Sequence, residues 1–85
     1  MRPPLTVLLF GPVREAAGEP SVVLPLPAGA TVRTLLLALA AALPGVPLAL
    51  LQRCVVAVDD AYYAPDEPLP PTAATVAVIP PVSGG

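Results

Sequence analysis

Thr31-Val-Arg-Thr-Leu-Leu-Leu-Ala-Leu-Ala-Ala-Ala-Leu-Pro44 is the stretch from which the fold follows. Thr31 suits a helix N-cap, because its hydroxyl accepts from an amide of the first turn. Val32, Leu35, Leu36, Leu39 and Leu43 then recur at offsets of three, four, seven and eleven residues, which puts them on one face. Arg33, Thr34, Leu37, Ala38 and Ala41 fall on the opposite side. Pro44 lacks an amide hydrogen and clashes with the preceding turn, so the helix ends there. The spacing predicts one amphipathic helix of three turns, its apolar stripe turned to a core.

Thr34 to Leu51 carries no charge and is long enough to raise the question of a membrane span. Pro44-Gly45-Val46-Pro47 breaks it in the middle, and each remaining piece is too short to cross a bilayer. A buried helix followed by a turn fits better. Arg2 and the run Leu5 to Phe10 imitate an export signal only faintly, since the apolar part is short and Arg14-Glu15 follows closely. With one thiol and no such signal, the cytoplasm is the expected compartment.

On the N-terminal side of the helix, Pro27-Ala-Gly29 makes a turn. Ser21 to Leu26 before it reads as a strand, and Pro25 within it implies an edge position because proline donates nothing to a ladder. Leu5 to Phe10 is a further strand, closed by Gly11-Pro12. Val13 to Ala17 fits a short helical turn with Gly18 as its C-cap. On the other side, Leu48 to Gln52 fits a helical turn, and Cys54-Val-Val-Ala-Val58 a third strand. Asp59-Asp60 turns tightly into a short fourth strand around Tyr62-Tyr63. Asp66 to Thr72 is a proline-rich loop, and Thr75-Val-Ala-Val-Ile79 is the last strand, stopped by Pro80-Pro81. This order predicts an α+β fold, a sheet packed on one main helix.

Composition agrees with a packed domain. The 85 residues include 14 prolines and 6 glycines, close to the fraction at which disorder is suspected. Yet 55% of the chain is hydrophobic, only 12% is charged, and the mean hydropathy is +0.79. Disordered chains have the opposite balance. A net charge of −2 argues against nucleic acid, which calls for a basic face. The chain has no His, Lys, Trp or Asn and a single cysteine, Cys54. A Ser-His-Asp or Cys-His site, a CxxC pair and an internal disulfide are therefore excluded, and no metal or cofactor is expected on this chain.

Strand alternation assigns the sheet faces. Thr75 marks the outward row of the last strand, which includes Ala77 and Ile79 and leaves Val76 and Val78 inward. Thr6 marks the outward row of the first strand, with Leu8 and Phe10 beside it. Both rows end in a large apolar residue near the place where the C-terminal segment emerges. With so few charges to coat the surface, these positions are expected to form a docking patch rather than scattered surface hydrophobes.

The final segment reads Ile79-Pro-Pro-Val-Ser-Gly-Gly85. Two prolines favour an extended exit, and two glycines have no Cβ, so such an end fits a narrow channel. Residues 80–85 reach about 20 Å when extended. The division expected is a folded domain over residues 1–79 and an extended segment over 80–85. A terminal carboxylate becomes acyl-reactive once an oxygen is made a leaving group, as adenylation does. The enzyme that does so must supply the catalytic groups missing here.

Val7-Leu-Leu-Phe10, Val13-Arg-Glu-Ala-Ala-Gly18, Leu26-Pro-Ala-Gly-Ala-Thr-Val32, Val56-Ala-Val58, Leu69, Val76-Ala-Val-Ile79 and above all Pro80-Pro-Val-Ser-Gly-Gly85 carry a specific resemblance. Over essentially its whole length the chain resembles the small subunit of molybdopterin synthase, the MoaD type of the MoaD/ThiS sulfur carriers. Asp59-Asp60, where such proteins commonly have an Asn-containing turn, and Gly11-Pro12 depart from the pattern. The resemblance implies a β-grasp, ubiquitin-like mixed sheet. It also implies a non-catalytic subunit that carries sulfur. A MoeB-type enzyme would adenylate Gly85 with ATP, and a sulfur donor protein would convert it to a thiocarboxylate. Pro80, Pro81, Val82, Ser83 and Gly84 would then insert into a MoaE-type large subunit, in a heterotetramer, where sulfur passes to cyclic pyranopterin monophosphate. Phe10, Tyr62 and Ile79 fit the docking surface that the resemblance implies, with Leu8 beside them; neither nucleic acid nor membrane is an expected partner.

Two neighbouring readings share the same terminus. A ThiS-like carrier of another pathway would differ only in its acceptor. A ubiquitin-like modifier would join Gly85 to a target lysine, though self-linked chains through lysine are excluded. A thiol protein built on Cys54 is disfavoured, because a lone cysteine opening a valine-rich strand is more often a core filler.

Overall fold

The computed structural model describes residues 3–81. Five strands and three helices follow in the order β1 (Leu5–Leu9), α1 (Gly11–Ala17), β2 (Ser21–Leu24), α2 (Val32–Ala42), α3 (Leu48–Gln52), β3 (Val55–Val58), β4 (Ala61–Tyr63) and β5 (Thr75–Ile79). In space the sheet runs β2-β1-β5-β3-β4. β1 and β5 are parallel at its centre, while β2, β3 and β4 pair antiparallel to their neighbours. This is the mixed sheet of a β-grasp, ubiquitin-like fold, and α2 crosses its covered face.

The α2 stripe buries as the spacing predicts: Val32, Leu35, Leu36 and Leu39 are buried, and Arg33, Leu37 and Ala41 are exposed. They meet Leu5, Val7 and Leu9 of β1, Val76 and Val78 of β5, and Val56 and Val58 of β3 in one core. Leu43 is only half-buried because the chain leaves helical geometry there, at φ −123° and ψ 78°.

The helix start accounts for its own amides. Thr31 Oγ1 accepts from the Thr34 amide at 3.2 Å. The Val32 and Arg33 amides donate to the carbonyls of Glu67 and Pro65, at 3.1 and 2.9 Å. These donors have no partner inside a helix, so the loop after β4 supplies the acceptors. Leu69 and Ala73 of that loop are buried beneath it. The proline-rich segment is thus a fixed part of the fold.

Four boundaries differ from the sequence reading, each for a local reason: β1 stops at Leu9 rather than Phe10, because Phe10 serves as the N-cap of α1. β2 stops at Leu24 rather than Leu26, because Pro25 ends the ladder and Leu26 turns into the core. β3 begins at Val55, because the Cys54 amide donates to the Leu51 carbonyl at 3.0 Å and belongs to the end of α3. α1 begins at Gly11, with Pro12 in its first turn, where a missing amide hydrogen costs nothing. Its other end is the expected one: Gly18 takes the left-handed conformation at φ 78° and donates to the Arg14 carbonyl.

Candidate functional site on the open face of the sheet

One face of the sheet carries α2 and the core, and the other is open. Strand register builds the open face. Leu8 lies beside Ala77, Ala77 beside Ala57, and Ala57 beside Tyr62, so these residues form one row across four strands. Val55 and Ile79 pair in the next row, and Phe10 follows β1 on the same side. Phe10, Val55 and Tyr62 are exposed, at 42%, 40% and 74%, and lie on this one face. The alanines keep the middle of the row low. Leu8, Ala57, Ala77 and Thr75 floor a shallow depression with Asp59 and Asp60 at its rim.

Leu8, Phe10 and Ile79, placed outward by parity, therefore share one face, and Tyr62 joins them from β4. Sequence reasoning did not single out Val55 or Ala57. Cys54-Val-Val-Ala-Val58 has no polar residue to mark a face, and only the pairing of β3 with β5 decides it.

The chain leaves β5 at the Phe10 end of this face. Ile79 and Pro80 are half-buried and Pro81 is exposed. Pro80 packs against the turn between β1 and α1, where a Cβ on Gly11 would stand 3.0 Å from Pro80 Cγ. Val82, Ser83, Gly84 and Gly85, the rest of the expected insertion segment and its reactive end, lie outside the described residues.

Cys54 is elsewhere, half-buried at the end of α3. Its Sγ donates to the Leu50 carbonyl at 3.3 Å. Burial pushes its pKa up, and the Arg53 charge opposes this only in part. A thiol held protonated is a poor nucleophile. Arg33 and Asp66 form an ion pair at 2.6 Å on the helical side, away from the open face, and both are largely in solvent. No helix among the described residues is long and apolar enough to cross a membrane.

The fold, with its open apolar face and a chain leaving the end of β5, defines a ubiquitin-like carrier protein of the MoaD/ThiS type. The ThiS family model matches residues 7–85, and the chain belongs to that family. The structure is similar to SAMP1 from Haloferax volcanii, with a TM-score of 0.81 and 27% identity, over 98% of this chain and 100% of that one. A second structure, small archaeal modifier protein 1 of H. volcanii, matches with a TM-score of 0.78 and 27% identity over 93% and 98%. A candidate molybdopterin converting factor subunit 1 from Pyrococcus furiosus matches with a TM-score of 0.74 and 25% identity, over 93% and 98%. No curated protein matches the chain significantly.

Proposed function

We propose that this chain is the sulfur-carrying small subunit of a molybdopterin synthase, acting in the cytoplasm. The observation that carries the reading is the family match, which runs through the Pro-Pro-Val-Ser-Gly-Gly segment to residue 85. The open face ends where that segment begins, so docking and delivery share one end of the molecule. In this reading a carboxylate oxygen of Gly85 attacks the α-phosphorus of ATP within a MoeB-type enzyme, and pyrophosphate leaves. A sulfide equivalent from a donor protein then attacks the acyl carbon, AMP leaves, and Gly85 ends as a thiocarboxylate. Leu8, Phe10, Tyr62 and Ile79 hold the carrier on its partners while residues 80–85 reach the reacting centre. Inside a MoaE-type large subunit the sulfur passes to cyclic pyranopterin monophosphate, and hydrolysis of the acyl carbon returns the carboxylate.

The structural likeness to small archaeal modifier protein 1 favours a second reading, attachment of Gly85 to a lysine of another protein. Both uses begin with adenylation and part at the acceptor. The test supplies the thiocarboxylated carrier to a MoaE-type subunit with cyclic pyranopterin monophosphate and measures molybdopterin. Product formation, with no covalent adducts on other proteins, is the expected result. Adducts without pterin product would replace the carrier by a modifier, and sulfur delivery only to a thiazole-forming system would move it to a ThiS-like pathway.

A further inference from the structure

Gly11 is the junction of β1 and α1, and it meets two independent demands. Its backbone is left-handed, at φ +54°. A Cβ at this residue would lie 3.0 Å from Pro80 Cγ, well inside the separation of about 3.5–4.0 Å that carbon atoms prefer. The first demand alone does not call for glycine. Asp59 and Asp60 adopt φ 50° and 67° in this same chain, and Asp and Asn tolerate that region better than other residues with a Cβ. The second demand does, because the neighbour is a proline ring. Its φ is locked, and its ring gives way only by a change of pucker or with the backbone that carries it. Room for a Cβ calls for a shift of a few tenths of an ångström in that ring or in the backbone that carries it, where the chain leaves β5.

We propose that Gly11 is a positioning residue for the C-terminal segment. By leaving space for the Pro80 ring against the β1–α1 turn, it sets the direction in which the chain leaves β5 at Pro80 and Pro81. It thereby governs how often Gly85 reaches a partner's reacting centre. This inference rests on the sulfur-carrier reading for its consequence, though not for the contact itself.

The test compares wild type with Gly11→Asn, Pro80→Ala and the double variant, because Asn meets the backbone demand and fails only the spatial one. In the free wild-type protein, a nuclear Overhauser effect between the Gly11 Hα and Pro80 Hγ protons is expected, and its absence overturns the contact. In adenylation by the activating enzyme, Gly11→Asn should lower kcat by about tenfold or more, since small misplacements are costly in a positioned reaction. The KM for the carrier should stay within about twofold, since the docking face is untouched. In the Pro80→Ala background the same substitution should have a much smaller effect on both kcat and melting temperature, because the ring it meets is gone. An unchanged kcat in folded Gly11→Asn, or equal losses with and without the ring, overturns the proposal. If wild type is not adenylated at all, the sulfur-carrier reading fails, while the Overhauser effect and the melting-temperature cycle still decide the Gly11 contact. Should Gly11→Asn not fold, folding of the double variant supports the contact and its failure to fold, with no Overhauser effect in wild type, refutes it.

Discussion

Cys54 is the one thiol of the chain, and its surroundings suppress its reactivity. Burial raises its pKa, the Arg53 charge offsets this only partly, and Sγ donates to the Leu50 carbonyl at 3.3 Å. Because the folded state holds the proton more tightly than the unfolded chain does, the thiol contributes stability below its ordinary pKa. That contribution is lost as pH rises through the raised, folded value. Alkylation of the native protein near pH 8 should therefore be slower than alkylation in denaturant, and equal rates would refute this. Cys54→Ala should leave adenylation and sulfur transfer intact. Asp59 and Asp60 hold positive φ at the β3–β4 turn, a region that strains residues with a Cβ, Asp less than most. Asp60→Gly should therefore stabilise the protein by about 0.5–1 kcal/mol in thermal melts. An unchanged or lower melting temperature would mean that the two aspartates fit this turn better than their backbone angles imply.

At the scale of elements, α2 is held at its start by the Thr31 hydroxyl and along its length by buried leucines. Thr31→Ala should cost about 1 kcal/mol in denaturant unfolding, the usual loss for such a cap. Leu39 is fully buried under the sheet, and Leu39→Ala should cost about 2–5 kcal/mol through lost contact and the cavity left behind. Elements whose signals are local were legible in the sequence: the α2 stripe and cap, Gly18 at the end of α1, and β5 between Thr75 and Pro80. The faces of β1 and β5 were legible because Thr6 and Thr75 mark one side. β3 has no such marker, so Val55 and Ala57 reached the open face only through pairing with β5, a contact distant in sequence. The Gly11–Pro80 approach was hidden for the same reason, since it joins the ends of two strands that are far apart along the chain and neighbours in the sheet. The amide-to-carbonyl bonds from α2 to the loop after β4 are another such long-range feature; the sequence shows only a proline-rich loop there.

The molecule as a whole divides its labour between two faces. The covered face holds nearly all of the hydrophobic core, and the open face shows apolar side chains to solvent. Phe10 and Tyr62 support docking in this account; Tyr62 is largely exposed and contributes little to folding, while Phe10, at 42% exposure, is more than half covered. Tyr62→Ala should change stability by no more than about 0.5 kcal/mol, and Phe10→Ala should cost about 1 kcal/mol. Each should weaken binding to a MoaE-type or MoeB-type partner by about tenfold or more, as measured by calorimetry. Loss of stability without loss of binding would assign these side chains to the fold instead. In the proposed reading, the absence of His and the raised pKa of Cys54 fit a chain that supplies a surface and a reactive end while its partners supply catalysis. The most direct measurement of that claim is the intact mass of the chain after incubation with its activating enzyme, ATP and a sulfur donor. The account predicts a gain equal to the exchange of one oxygen for sulfur, located at Gly85 and absent when Gly85 is deleted. An unchanged mass, or a gain that persists without Gly85, would contradict it.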